Sequence, residues 1–136
     1  MLQTKVVACY VGLFDGRLKM VELHQLKCRA CRTGDPSLSD TEIIALHRQI
    51  PNWEVKKVEG VRRLERVFIF EEFAHTRLFI DKASAVAEQE NHHPLITMEY
   101  RKVTLSLWTH KVHGLHLNDF IMAAKLDRLR QQFPNR

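Results

Sequence analysis

With 136 residues, 45% of them hydrophobic, the chain can bury one core and is too short for two ordinary domains. Its formal net charge of +5 comes from scattered bases, such as Arg62, Arg63 and Arg66 alternating with Leu64 and Glu65 on a solvated strand face. No nucleic-acid motif accompanies them, so no specific nucleic-acid partner is expected. No apolar run approaches the roughly 20 residues that span a bilayer. The stretch Val6 to Phe14 is interrupted by Cys9 and Tyr10 and lacks a small-residue cleavage site, so no membrane association and a cytoplasmic location are expected.

Residues 1 to 36 read as a peripheral segment, punctuated by Gly12, Asp15-Gly16, Gly34 and Pro36. Met20 is a second candidate start, which would make residues 1 to 19 either an extension or sequence ahead of the true start. Cys28 and Cys31 form a Cys-x-x-Cys, but no second such pair or evenly spaced histidine pair completes a zinc site, and no βαβ pattern surrounds them. Reduced, idle thiols are the expectation.

The domain proper is expected over residues 37 to 136. Its first helix starts at Ser39, whose Ser-x-x-Glu pattern with Glu42 is a capping-box signature; it buries Ile43, Leu46 and Ile50 and ends at Pro51. Strands from Trp53 to Val58 and from Val61 to Phe70 pair around Gly60. A second helix, from about Glu72 to Gln89, directs Phe73, Ile80, Ala83 and Ala87 to the core. Residues 95 to 110 read as a hairpin, because Ile96, Met98 and Tyr100 and then Val103, Leu105 and Leu107 alternate with polar residues. A two-residue turn at Arg101-Lys102 sets Tyr100 opposite Val103, Ile96 opposite Leu107 and, by extension, His93 opposite His110. A third helix follows from about Asn118 to Phe133. The order α-β-β-α-β-β-α predicts an α+β fold: a four-stranded antiparallel sheet with helices on one face and the other face free for self-association.

The candidate chemistry sits at the ends of that hairpin. Glu88-Gln-Glu-Asn-His92-His93-Pro94 leads into it and Thr109-His110 closes it. Pro94 disfavours a helix through His93, so the junction is irregular and both rings can line one cavity with His110. Imidazoles, with an unperturbed pKa of about 6.5, donate or accept protons near neutrality. Glu88 stands four residues before His92, on the same face if the helix continues that far, and spacing alone fits a solvated helix-end glutamate as well as a carboxylate that fixes the His92 tautomer. Asp119 falls at the first turn of the third helix, where capping and orienting a loop are compatible. Trp108 shares the face of His110 and can stack on a flat heterocycle or pack against the protein. His110, His113 and His116 recur every third residue, but Gly114 and the helix boundary break any common face, so no metal is expected.

Together Glu88, His92-His93-Pro94, Tyr100, Lys102-Val103, Thr109-His110, Gly114-Leu115 and Asp119 resemble the pterin-4a-carbinolamine dehydratase family, with weaker similarity back through Phe73, Phe70, Gly60 and Trp53 to Leu38. The resemblance covers roughly the last hundred residues and is to bacterial members more than animal ones. Ile96-Thr97 stands where animal members carry aromatics, and Trp108 where they carry a small residue. The resemblance implies a hydro-lyase that dehydrates 4a-hydroxytetrahydropterin to quinonoid dihydropterin in the recycling that follows aromatic amino acid hydroxylation. It implies His92, His93 and His110 as the acid/base set, Glu88, Thr109 and Asp119 in support, and no cofactor, the pterin being the substrate; a contact of Trp108 with the substrate rests on its strand face alone. It also implies dimers joined into tetramers. Animal members act as dimerisation cofactors of a homeodomain transcription factor. The alternative reading is therefore a non-catalytic binding protein, such as a partner of a phenylalanine hydroxylase.

Overall fold

Two antiparallel hairpins joined through their inner strands make the central sheet of the computed structural model, which describes residues 11–14 and 17–135, with side chains from residue 21 onward. Cys9 and most of the apolar N-terminal stretch lie outside the described residues. In chain order the elements are β1 (Val11–Phe14), β2 (Arg17–Met20), α1 (Asp40–His47), β3 (Glu54–Val58), β4 (Val61–Ile69), α2 (Phe73–Glu90), β5 (Leu95–Glu99), β6 (Lys102–Leu107) and α3 (Leu117–Arg130). Strands β1 and β2 form a separate two-stranded ribbon, and the main sheet runs β3-β4-β6-β5, antiparallel throughout. The α+β architecture and its element order from α1 to α3 are those expected from the sequence.

Local chemistry explains the boundaries. Ser39 caps α1: its hydroxyl accepts from the Glu42 N–H at 3.3 Å, and the Glu42 carboxylate accepts from the Ser39 N–H at 2.8 Å. Regular α-helix stops at His47, short of Ile50, because the last residues tighten into i to i+3 bonds (Ile50 N–H to His47 O, 3.0 Å); Ile50 is still buried. Between β3 and β4, Glu59 and Gly60 both take positive φ, +50° and +80°, the twist that a two-residue hairpin requires.

The second hairpin departs from the expected register. Its turn is Tyr100-Arg101, not Arg101-Lys102, so Met98 faces Val103 and Ile96 faces Leu105. The slide is two residues, which leaves the apolar face unchanged. Tyr100 accepts a left-handed φ of +48° while its ring stacks on Phe73 at 6.0 Å. The turn is further held by Phe70 N–H to Arg101 O at 2.9 Å and by a Lys102–Glu99 ion pair at 2.6 Å. Phe73 is correspondingly half-exposed and not in the core, because the first turn of α2 overhangs the hairpin tip.

One sheet face is buried. Leu64 and Phe68 of β4 and Val103, Leu105 and Leu107 of β6 meet α2 through Phe79, Ala83 and Ala87, and α3 adds Phe120, Ile121, Met122 and Leu126. Phe79 is the aromatic centre, 4.8 Å from Phe68, 5.1 Å from Phe70 and 5.7 Å from Phe133. The opposite face leaves Val67, Ile69 and Leu95 exposed. The stretch read as peripheral contributes Leu23, fully buried, whose N–H donates to Gln49 Oε1 at 2.9 Å. Among the described residues no helix is long and apolar enough to cross a membrane.

Because Phe79 touches three other rings, Phe79→Ala is expected to cost about 3–5 kcal/mol by urea denaturation. A loss below about 1 kcal/mol would contradict this packing.

Candidate functional site

The site begins where α2 ends. Asn91 takes a left-handed conformation (φ +49°) and donates its N–H to the carbonyls of Ala87 and Glu88, while His92 N–H returns to Ala87 O at 3.1 Å. This cap turns the chain out of helical phase before Pro94. His92 therefore points inward and His93 outward, their side chains 13% and 55% exposed.

Each ring meets a different carboxylate. His92 Nε2 lies 2.6 Å from Asp119 Oδ1, and His93 Nε2 lies 2.6 Å from Glu88 Oε1. The expected pairing of Glu88 with His92 is thus replaced by Glu88 with His93, because the left-handed Asn91 breaks the i, i+4 relation. In the neutral tautomer that donates Nε2–H to a carboxylate, Nδ1 is left as an acceptor.

Asp119, wholly buried at the first turn of α3, collects three donors. Besides His92, its Oδ2 accepts from Thr109 Oγ1–H and from the His116 N–H, both at 2.9 Å. His116 is itself the cap, its Nδ1 accepting the Asn118 N–H at 3.1 Å. Asp119 hence both caps α3 and fixes the His92 ring. Burial of a carboxylate is costly unless such donors surround it.

After β6 the chain makes a tight loop in which Thr109 N–H donates to Gly114 O at 2.9 Å, and a short 3-10 turn, His110–Val112, projects from it. Gly114 is favoured by close approach: a Cβ there would sit 3.2 Å from Ser37 Cβ, a tight contact that Ser37 would have to relieve. His93 does not face His110 as the two-residue turn at Arg101-Lys102 would place it: the observed register carries position 93 toward 108, and β5 begins only at Leu95. His110 still faces the same cavity, its ring 4.8 Å from Trp108. Trp108 is covered on one face by the Arg63 guanidinium, 3.7 Å from the ring centroid.

A cavity of about 580 Å³ joins these pieces, lined by residues 27–31, 89–93, 108–111 and Asn118. His92, His93, His110, Trp108 and Thr109 all reach it, while Glu88 and Asp119 stand behind the rings they hold. The volume suits a small heterocycle.

One wall was not foreseen. The strap Lys27–Cys31 lines the cavity and is tied down by groups far away in sequence. Buried Asn118 accepts the Arg29 N–H at 2.9 Å, donates to Arg29 O at 2.6 Å and reaches Cys31 Sγ at 3.2 Å. Cys28 N–H donates to Glu90 Oε2 at 2.9 Å, and Lys125 pairs with Glu90 Oε1 at 3.0 Å. Burial would raise the Glu90 carboxyl, but the Cys28 N–H and Lys125 hold it below its usual range. Burial, reinforced by Glu90, pushes the Cys28 thiol up to about 12, and burial also raises Cys31, so both stay protonated at neutral pH. The Cys-x-x-Cys, read as idle, is structurally engaged at the cavity wall.

Comparison with known proteins locates this arrangement. The profile of the family described as Pterin 4 alpha carbinolamine dehydratase matches residues 36–129. A relative from Nitrosococcus oceani, provisionally named a pterin-4-alpha-carbinolamine dehydratase, is 50% identical over 110 residues, covering 81% of this chain and 97% of its own. A crystal structure from Brucella melitensis, titled a transcriptional coactivator/pterin dehydratase, superposes with a TM-score of 0.63 at 30% identity, covering 69% of this chain and 98% of that one. A pterin dehydratase-like protein, described as a RuBisCO assembly factor in the alpha-carboxysome, gives a TM-score of 0.51 at 25% identity, covering 58% and 89%.

The His116 cap makes stability pH-dependent. Burial lowers its pKa from the ordinary 6.5, against the opposing pull of Asp119 and Asp35. The folded state then binds fewer protons than the unfolded one, so this stability is fully present above about 6.5 and is lost as pH falls through the folded value. The urea midpoint is expected to drop on going from about pH 7 to about pH 5. The drop should be smaller in His116→Asn, which keeps a capping acceptor without the titration.

Proposed function

The chain belongs to the pterin 4 alpha carbinolamine dehydratase family, and from that premise we propose that it dehydrates 4a-hydroxytetrahydropterin to quinonoid dihydropterin and water by histidine acid/base catalysis. The observation that carries this reading is the Asp119–His92 pair, buried behind a cavity that His93 and His110 also line.

The reaction needs a proton delivered to the departing C4a hydroxyl and a proton taken from N5, with no change in oxidation state. A ring whose Nε2 is bound to a carboxylate presents Nδ1 as an acceptor, a condition met twice, at His92 and His93. His110, whose ring makes no hydrogen bond among the described residues, completes the set of three imidazoles. Thr109 keeps the Asp119 carboxylate oriented, and Trp108 offers the heterocycle what Arg63 leaves of its surface. The proposed setting is cytoplasmic tetrahydropterin recycling, in a homo-oligomer that covers the exposed Val67, Ile69 and Leu95.

A second reading, a binding protein without activity, draws on the coactivator and assembly-factor titles of the two structural neighbours. Ultraviolet absorbance in a coupled hydroxylase assay separates the two readings. Folded His93→Ala and His110→Ala variants are each expected to lose roughly 10²- to 10⁴-fold in the dehydration rate. Wild-type protein that fails to accelerate dehydration would leave the binding reading standing.

A further inference from the structure

The strap gives the cavity a charge that acid/base dehydration does not require. Lys27 and Arg29 on the strap and Lys111 on the opposite loop all line the cavity, and among the described residues none of the three is in an ion pair. Glu90, the carboxylate in the lining, is already committed to Lys125 and to the Cys28 N–H. Lys111 donates to Cys31 O at 3.1 Å, so its ammonium is fixed beside the strap by a neutral carbonyl. The backbone of Arg29 is held from both sides by the Asn118 amide, and Cys28 Sγ lies 3.6 Å from Asn118 O. The protonated thiols add no negative charge. The result is a rim of three cations that make no ion pair among the described residues, on a backbone that is clamped next to the residue holding His92.

Resting on the dehydratase reading, we propose that the Lys27–Cys31 strap is a specificity element that selects pterins carrying an anionic side chain, a phosphate monoester or a carboxylate, with Lys27, Arg29 and Lys111 as its recognition groups and Asn118 as its positioning residue. The heterocycle occupies the histidine side of the cavity and its charged substituent extends to the strap. Partly exposed pairs of this kind are individually weak and are screened by salt, so the selectivity is modest and ionic-strength dependent.

The test compares two 4a-hydroxytetrahydropterins, one with a neutral hydroxylated side chain and one bearing a phosphate monoester on that chain. In wild type the ratio of kcat/KM, anionic over neutral, is expected to be about tenfold at low salt and to shrink as salt is raised. In Lys27→Ala/Arg29→Ala, whose sites are exposed and place no demand on folding, the ratio is expected to fall toward one. In Asn118→Ala, provided it folds, it should fall as well. A wild-type ratio of one, or a ratio that the double variant leaves unchanged, overturns the proposal. Calorimetric binding of the corresponding oxidised pterins reads the same preference without turnover. A protein that dehydrates neither substrate would therefore refute the dehydratase reading, while equal affinities for the oxidised pair would refute the strap's selectivity.

Discussion

The buried carboxylate of Asp119 is the constraint on which the site depends. It accepts from an imidazole, a hydroxyl and a backbone amide that belong to three different segments: the end of α2, the loop after β6 and the start of α3. Removing any one donor would leave an uncompensated lone pair in a place that water does not reach. The same group therefore stabilises the helix terminus, closes the Thr109–Gly114 loop and sets the orientation of His92. One carboxylate thus serves both the helix cap and the candidate site.

The strap extends that logic outward. Asn118 is the neighbour of Asp119 on the first turn of α3, so the clamp on Arg29 and the clamp on His92 spring from adjacent positions of one helix. The cysteines act here as neutral, partly buried groups whose raised pKa values keep them from serving as thiolate nucleophiles at neutral pH. Their contribution is to pack and to hydrogen-bond, which places a cationic strap against the histidine cavity.

Much of the fold was legible in the sequence because its signals are local. Ser39 and Glu42 sit three residues apart, Glu59-Gly60 supplies a turn, and alternation in Val103, Leu105 and Leu107 marks the buried strand face. The register of the second hairpin was not legible, since a two-residue slide preserves the apolar face and the observed turn is held by the left-handed Tyr100 stacked on Phe73 together with the Phe70–Arg101 and Lys102–Glu99 contacts. The histidines and Asp119 were found as residue types at a spacing, but the exchange of carboxylate partners depends on one dihedral angle at Asn91. The strap could not be found at all from local pattern, because its anchors, Arg29 to Asn118 and Cys28 to Glu90, connect positions 89 and 62 residues apart.

The most direct test of this account is the dehydration rate of an Asp119→Asn variant, measured beside its urea stability. Asparagine keeps the size of the side chain and one acceptor oxygen but loses the charge and the second acceptor, so His92 loses its anionic partner while α3 can still be capped. The account predicts a folded protein whose kcat falls on the order of 10²-fold or more. A folded Asp119→Asn protein that dehydrates 4a-hydroxytetrahydropterin at the wild-type rate would contradict it.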